Sequence, residues 1–289
     1  MPKKIQSISK IHYYNNSHKL DNIIGKFSNL AGLDLRYSNI KRLPKEIGNL
    51  TNLKELNLRS NNLTELPKEI GNLKKLVVLH LSLNNISKLP KEFWNLTNLK
   101  YLYLGGLNLT TISKKIGNLN LRVIDLDWNK LRSLPKEIGN LSNLEFLNLN
   151  MNKLTELPNE IGFLYNLQKL DLRNNYINKL PKEIGNLSNL ENLDLEYNKL
   201  TTIPKEIGNL IHLKILDLGS NKLAKLPKEI GNLIHLKKLY LEGNNLTELP
   251  KEIGNFSNLY TLDLRGNNFS TSEKEKIRKL LPSCNIDFW

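Results

Sequence analysis

The sequence is poor in the residues from which crosslinks and membrane spans are made. Cys284 is the only cysteine among 289 residues, so no disulfide can form within the chain. A chain without disulfides is typical of a reducing compartment, and we expect a cytoplasmic protein. No run of about 18 apolar residues occurs, which predicts that no helix spans a membrane. The residues that follow Met1 lack the apolar segment of a secretory signal, although secretion by a signal-independent route stays open.

Signatures of catalysis are missing as well. The sequence contains no glycine-rich phosphate loop, no zinc-protease helix motif and no nucleophile elbow. Cys284 has no histidine near it in the sequence that could activate it as a nucleophile. We therefore expect a protein that is not an enzyme, with no catalytic residue, no cofactor and no bound metal.

What the sequence does contain is a repeat. The octapeptide Leu-Pro-Lys-Glu-Ile-Gly-Asn-Leu occurs without change at five places, beginning at Leu43, Leu66, Leu134, Leu180 and Leu226. Units aligned on an opening leucine follow one another at 23 residues, except for a step of 22 between Leu99 and Leu121. Repetition at such a period predicts a solenoid, in which each unit packs only against its neighbours.

The unit that opens at Leu53 indicates how one repeat folds. Counting Leu53 as position 1, Leu56 and Leu58 continue the alternation of a β-strand with one face inward. Pro67 then opens a short helical turn, which Gly71 is expected to end. The predicted class is an α/β solenoid, with a parallel β-sheet on the concave face and short helical or 3-10 turns on the convex face.

The pattern LxxLxLxxNxLxxLPxxIxxLxx, complete in residues 53–75, resembles the leucine-rich repeat. It is similar to the class found in bacterial repeat proteins and in intracellular Ras-pathway scaffolds, and the resemblance covers nearly the whole chain. The resemblance implies a horseshoe that binds a protein partner on its concave face, as a scaffold in signal transduction.

Position 9 is asparagine in most units. An amide placed inside the turn that leaves the strand can satisfy backbone groups of its own and of the neighbouring unit, so we predict a structural role. This Asn ladder consists of Asn61, Asn84, Asn129, Asn152, Asn175, Asn198, Asn221, Asn244 and Asn267.

We expect a single domain over residues 1–289, closed at both ends by caps. Residues 1–29 read as a degenerate N-terminal capping repeat, residues 30–258 as ten units, and residues 259–289 as the last strand with a C-terminal helical cap. Ser272 and Glu275 have the spacing of a capping box at the start of that helix. Cys284, Ile286 and Phe288 alternate like a final strand.

Apolar and aromatic residues gather at positions that should face solvent on four consecutive strands. Contiguous exposed apolar surface marks binding sites, so we predict a partner-binding patch about 15 Å wide there. The patch consists of Val78, His80, Leu83, Tyr101, Tyr103, Val123, Trp128, Phe146 and Met151. Alternatively, these side chains pack on one another and stiffen the sheet. Self-association through the same patch is also open.

The same stretch contains the one irregular unit, residues 99–120. It is one residue short, with Leu107 in place of the ladder asparagine and Ser113 in place of proline. Gly105 and Gly106 precede Leu107 and leave bare backbone on the concave face. The irregularity is either functional or neutral. We expect the sheet to bend near Leu107.

Carboxylates dominate the next strands, where they would form an acidic rim that selects the partner. The rim consists of Asp171, Glu191, Asp194, Glu196 and Asp217. Carboxylates about 4.8 Å apart repel, which raises their pKa or recruits a cation, although Lys169, Arg173 and Lys214 are near enough to offset them. An enzyme that uses this row is an alternative. His212 and His235 lie one unit apart, but two imidazoles do not complete a metal site.

The net charge of +14 does not come from the concave face, where acidic and basic residues nearly balance. Much of the excess follows the Asn ladder as a basic rim: Lys41, Arg42, Lys88, Lys130, Arg132, Lys153, Lys179, Lys199, Lys222 and Lys225. A nucleic acid or an anionic surface is therefore an alternative partner. The near-absence of interleaved aromatic residues argues against nucleic acid. A secreted effector-type recognition protein is the third alternative.

Overall fold

The computed structural model describes residues 10–12, 24, 27 and 29–289, which fall into two compact units. Unit 1 comprises Met1–Lys130 and unit 2 comprises Leu131–Trp289. No helix among the described residues is long and apolar enough to cross a membrane.

In unit 1 the described strands pair in parallel and in chain order. They are β1 (Lys10–His12), β2 (Gly32–Asp34), β3 (Glu55–Asn57), β4 (Val78–His80), β5 (Tyr101–Tyr103) and β6 (Val123–Asp125). Each strand has three residues because only positions 3 to 5 of a repeat are extended. The middle residue, such as Leu56 or Leu79, points into the core and is almost fully buried.

Unit 2 repeats this arrangement with seven strands in chain order. They are β7 (Phe146–Asn148), β8 (Lys169–Asp171), β9 (Asn192–Asp194), β10 (Ile215–Asp217), β11 (Lys238–Tyr240), β12 (Thr261–Asp263) and β13 (Asn285–Asp287). Parallel strands that run in register place equivalent positions of successive repeats side by side. In both units, the side chains of positions 3, 5 and 7 lie on the side of the sheet opposite the core, and those of position 8 border them where the strand ends. We call these four positions together the exposed sheet face.

A 3-10 turn of five residues returns the chain to the core between successive strands. In unit 1 these turns are Lys45–Asn49, Lys68–Asn72, Lys91–Asn95 and Lys114–Asn118. In unit 2 they are Lys136–Asn140, Asn159–Phe163, Lys182–Asn186, Lys205–Asn209, Lys228–Asn232 and Lys251–Asn255. The solenoid of parallel strands and 3-10 turns predicted from the repeat is confirmed in each unit.

The glycine of most turns has a different role from the one expected. Gly71 lies inside its turn rather than ending it. A Cβ atom there would overlap the backbone carbonyl of Glu92 in the next turn. Glycine therefore allows two successive turns to pack backbone against backbone.

The C-terminal cap begins two residues earlier than the sequence indicated. The helix α1 spans Thr271–Leu280, and Ser270 is its N-cap, whose Oγ accepts the N–H of Glu273 at 3.2 Å. The assignment of a capping box to Ser272 and Glu275 is therefore wrong. The glutamate that follows the N-cap does not reach back to it, because Glu273 Oε1 instead accepts the N–H of Leu249 at 3.3 Å.

At the N-terminus, β1 pairs with β2 through Ile11 and Leu33, as an extra repeat ahead of Leu30 would. Most of the predicted capping repeat, residues 1–29, lies outside the described residues. The single-domain boundaries stay a prediction.

The irregular unit does not break the sheet of unit 1. Tyr101 stays in register between Val78 and Val123, so the expected bend that would misalign this strand is not observed. Leu107 is fully buried where the ladder asparagine would be. The missing residue falls at the exit of the 3-10 turn, where Leu119 has an extended ψ of 162° while the corresponding residue of the preceding turn, Leu96, has ψ 57°.

Candidate functional site

The Asn ladder holds the turn that leaves each strand. Asn175 is representative, since its Oδ1 accepts the N–H of Leu154 at 3.0 Å. Its Nδ2 donates to the carbonyl oxygens of Leu149 and Leu172, at 2.9 and 3.0 Å. Most of the ladder is buried, and only Asn267, in the last repeat, is more open. These bonds account for the regular spacing of the asparagines within the chain.

Where Leu107 interrupts the ladder, one backbone donor loses its partner. The N–H of Ile86 has no acceptor among the residues described, although the corresponding N–H of Leu63 donates to Asn84 Oδ1 at 3.0 Å. The nearby carbonyl of Leu81 still accepts the amide of Asn84 at 2.8 Å. The irregular unit therefore costs stability at one donor.

Position 8 of each repeat adopts a left-handed backbone. In unit 1, Tyr37, Ser60, Leu83, Gly106 and Trp128 have φ values of 56°, 55°, 60°, 68° and 50°. A left-handed conformation suits glycine and is tolerated by asparagine or serine, but it costs a bulky side chain about 1–2 kcal/mol. Leu83 and Trp128 are nonetheless exposed, at 48% and 60%. Stability does not explain large apolar residues at this position.

The structure places the unit 1 members of the predicted patch together on the exposed sheet face. Val78, Tyr101 and Val123 lie side by side at position 3 and are half-buried. His80 and Tyr103 lie side by side at position 5, with parallel rings whose centroids are 3.9 Å apart. The stacking that we considered as an alternative thus occurs at this one pair.

A depression of about 400 Å³ lies beside the stacked pair. It is lined by Arg59, His80, Ser82, Leu83, Tyr103, Gly105, Gly106, Asp125, Asp127 and Trp128. The pKa of His80 is lowered by burial and by the nearby charge of Arg59, and the pKa of Tyr103 is raised by burial and by Asp125. Both rings are therefore neutral at pH 7, and the formal charge of the depression comes from Arg59 and the two aspartates.

Unit 2 contains the other two members of the patch. Phe146 opens β7 and is half-buried, while Met151 is exposed in a left-handed turn with φ 53°. Their contribution to a partner site stays a prediction.

The predicted acidic rim forms a connected row in unit 2. Asp171, Asp194 and Asp217 lie side by side on β8, β9 and β10. Arg173 bridges the first two, with its Nη2 2.8 Å from Asp171 Oδ2 and its Nε 3.2 Å from Asp194 Oδ2. Of the other cations expected to offset the acidic rim, Lys214 pairs with Glu191, another of its carboxylates, at 2.8 Å.

Burial raises the pKa of both Asp194 and Asp217 to about 7. Neighbouring carboxylates contribute a smaller part of this rise, while the N–H groups of Glu196 and Gly219 bond to the two aspartates and oppose it. The expected rise therefore occurs, but burial contributes more to it than the repulsion on which the expectation was based.

Oxygen atoms of Asp194, Glu196 and Asp217 lie within 4.8 Å of one another. Three carboxylates at this distance could ligate a hard cation. Further along the row, Glu242 Oε2 is buried without a hydrogen-bond partner among the described residues, and burial raises the pKa of Glu242.

A second row of asparagines was missed at the sequence level. At the last position of their units, Asn166 and Asn189 donate from Nδ2 to the carbonyls of Ser142 and Tyr165, at 2.8 and 2.7 Å. His212 and His235 interrupt this row and stack 6.3 Å apart. The asparagine at the same place in most units was the signal that could have revealed the row.

The basic rim is exposed along both units, as expected for residues that follow the Asn ladder. One aromatic ring accompanies it closely in unit 2, since Lys199 Nζ lies 4.6 Å from the ring centroid of Tyr176.

Comparison with known families agrees with this geometry. A family model described as a leucine-rich repeat region matches residues 7–134 and 119–200, and a second, described as a leucine rich repeat, matches residues 211–269. The chain belongs to the leucine-rich repeat family. Among curated proteins, no match to this leucine-rich repeat chain was found.

Solved leucine-rich repeat structures resemble the chain over most of its length. A leucine-rich repeat protein of Leptospira interrogans is 44% identical, with a TM-score of 0.77, over 92% of this chain and 74% of that one. The ectodomain of a membrane receptor kinase of Arabidopsis thaliana, solved in complex with Casparian strip integrity factor 2, is 33% identical with a TM-score of 0.78. This chain is covered to 92% in that match but spans only 33% of the receptor. An internalin of Listeria monocytogenes, 24% identical over 98% of this chain and 87% of that one, shares the fold with a TM-score of 0.75.

Proposed function

We propose that this chain is a non-enzymatic binding module, which recognises a protein partner through the exposed sheet face of unit 1. The observation that carries the proposal is the pair Leu83 and Trp128. Both are large, apolar and exposed, and both occupy left-handed turn positions where they cost stability. Residues that are strained and exposed at once are expected where binding selects them.

Other features of unit 1 support the same face. Val78, Tyr101 and Val123 continue the apolar surface at position 3. Aromatic side chains supply much of the binding energy in protein interfaces, because they bury a large area at little entropic cost. A relative of this chain, the ectodomain of the Arabidopsis receptor kinase, was solved in complex with a partner, Casparian strip integrity factor 2.

An enzymatic role based on the acidic row is the main competitor. Ordinary pKa values would have removed it, but Asp194 and Asp217 have pKa values near 7. We still favour binding, because both groups lie on an open sheet face and catalysis needs a site that excludes water. Asp194→Asn tests the alternative, since an enzyme that depends on this carboxylate would lose its activity.

We also propose that the protein works in a reducing compartment such as the cytoplasm, since its single cysteine is free. Signal transduction is the corresponding biological context, by resemblance to the intracellular scaffolds of the family. Secretion as a recognition protein is the alternative.

The decisive experiment compares two double variants as baits in extracts of the native cell. Tyr101→Ala/Trp128→Ala removes two side chains of the unit 1 face, while Tyr176→Ala/Tyr260→Ala removes two exposed aromatic rings of unit 2. We expect a partner that the wild type and the control variant retain and that the first variant loses. Reconstitution with the purified partner should give a Kd that rises at least about 100-fold, for two anchors of ~1.5–2 kcal/mol each.

A partner retained equally by both variants would remove the proposal for this face. If its binding then weakened steeply with added salt, the basic rim would be the contact surface, because only charge-dominated binding responds in that way.

A further inference from the structure

The depression in unit 1 contains a slot one side chain wide. Leu83, Gly106 and Trp128 occupy position 8 in three successive repeats. The outer two residues have exposed side chains and Gly106 between them has none, although Leu83 Cδ2 leans over it, 2.9 Å from where a Cβ of residue 106 would be. Because adjacent strands lie about 4.8 Å apart, the two walls rise from backbones separated by ~10 Å.

The floor of the slot is backbone whose hydrogen bonds are largely made. The N–H of Leu83 donates to the carbonyl of Gly105 at 2.8 Å, and the N–H of Gly106 donates to the carbonyl of Asp127 at 2.9 Å. A floor of this kind suits an alkyl chain better than a polar group, because it offers few groups to bond.

The two ends of the depression carry opposite charge. Asp125 and Asp127 lie at the Trp128 end, and Asp127 Oδ1 projects over Gly105, where an added Cβ would overlap it. Arg59 lies at the other end, beyond Ser82. With His80 and Tyr103 neutral, the slot leads from an apolar entrance between Leu83 and Trp128 towards two carboxylates.

We propose that this slot binds a lysine or arginine side chain presented by a linear segment of the protein partner. The alkyl stem lies between Leu83 and Trp128, and the charged tip reaches the carboxylates of Asp125 and Asp127 beside the indole face. Long basic side chains commonly pair an apolar stem with a charged tip in this way, and cations are attracted to indole faces. The inference rests on the proposed function and names the chemistry that the exposed sheet face recognises.

Random linear dodecapeptides displayed on phage provide the test. The protein carries a net charge of +14, so attraction to the whole surface would enrich acidic peptides. The net positive charge of the protein disfavours basic peptides. Enrichment of peptides that share a lysine or arginine beside apolar residues would therefore indicate a specific site. We expect that enrichment with the wild type.

Three variants locate the binding. Leu83 shows that leucine is accepted at this turn position, and Gly106→Leu fills the slot after Leu83 Cδ2, which lies 2.9 Å from the added Cβ, moves aside. Gly243→Leu makes the same change at the equivalent position of unit 2, where the nearest atom to the added Cβ is 3.4 Å away. The double variant Asp125→Asn/Asp127→Asn removes both charges and places asparagine at positions 5 and 7, as Asn148 and Asn150 already do in the next repeat.

The best enriched peptide is then synthesised with arginine and with citrulline, its neutral isostere. We expect Gly106→Leu and the double aspartate variant each to weaken the arginine peptide at least about tenfold, while Gly243→Leu leaves it unchanged. The citrulline peptide should bind the wild type as weakly as the arginine peptide binds the double variant. The arginine and citrulline peptides should bind the double aspartate variant equally, because the arginine charge no longer meets the carboxylates of Asp125 and Asp127.

The inference is overturned if selection enriches no peptide, or peptides without a basic residue. It is also overturned if Gly106→Leu binds the enriched peptides as the wild type does. Peptides that need Trp128 but no basic residue would refute the slot and leave the proposed function standing. A natural partner indifferent to Tyr101→Ala/Trp128→Ala would refute the proposed function itself.

Discussion

Truncation of one ladder asparagine should destabilise unit 2 by a limited amount. We choose Asn175→Ala, because Asn175 is buried and all its bonds go to backbone groups. It accepts one N–H, that of Leu154, and it donates to the carbonyls of Leu149, Leu172 and Arg173. Simple addition of four bonds would suggest a loss that unfolds the unit.

The carbonyl oxygens, however, do not depend on Asn175 alone. Leu149 O also accepts the amide of Asn152 at 3.1 Å, and Leu172 O also accepts that of Asn198 at 3.0 Å. Only the N–H of Leu154 is left buried without a partner, which costs about 1–3 kcal/mol. With the weakened carbonyl contacts, we expect a loss of ~2–4 kcal/mol in the free energy of unfolding.

Urea unfolding followed by circular dichroism measures this loss, and thermal unfolding should show a fall in Tm of roughly 4–16 °C, at about 2–4 °C for each kcal/mol. Asn178→Ala, at an exposed position in the same repeat, is the control and should change stability by less than about 0.5 kcal/mol. A loss below ~1 kcal/mol would show that the orphaned N–H is satisfied by water. A loss above ~5 kcal/mol in the free energy of unfolding would show that the remaining hydrogen bonds to the shared carbonyls do not limit the effect of the substitution.

Three further substitutions test the packing and the titration of the units. Gly139→Ala should lower the free energy of unfolding by about 1–3 kcal/mol, because the added Cβ would overlap the next turn. Gly254→Ala is the control and should be neutral, because the atom nearest to its added Cβ is 3.4 Å away. Equal effects of the two substitutions would contradict the packing argument. Because Asp217 has a folded pKa of about 7 against an ordinary 3.8, it destabilises the fold progressively as pH rises from about 4 to 7. Asp217→Asn should therefore raise Tm more at pH 8 than at pH 4, and an equal gain at both would contradict the shift. Trp94→Ala should cost ~3–5 kcal/mol by opening a cavity, and a loss under ~1 kcal/mol would mean that the site collapses around the gap.

The regular parts of both units could be predicted because each repeat packs only on its neighbours. Alternation at Leu53, Leu56 and Leu58 identified the strand, and the returning Ile70 identified the turn behind it. The asparagines could be assigned to backbone bonds since a buried amide at a fixed place has little else to do. The same locality explains why the unit 1 members of the patch were placed correctly on the exposed sheet face.

Features that depend on the distance between successive turns could not be predicted. Gly71 was interpreted as a helix breaker, because the approach of the Glu92 carbonyl is invisible in the sequence. The pKa of Asp194 likewise depends more on burial than on the neighbouring carboxylates that a sequence can suggest. In both cases the deciding quantity, the approach of a carbonyl or the burial of a carboxylate, belongs to the folded structure, and a period in the sequence does not give it.

The irregular stretch of unit 1 illustrates this limit best. Trp94 stands where the other turns have glycine and is nonetheless buried at 6% exposure, with its ring edge-on to Phe93 at 5.1 Å. Since even a Cβ at Gly71 would overlap its neighbour, an indole at Trp94 fits only if the following turn, Lys114–Asn118, lies farther away. That turn is the one whose exit lost a residue, at Leu119. The deletion and the large side chain, which the sequence presents as separate oddities, are therefore explained together, as a wider gap and the indole that fills it.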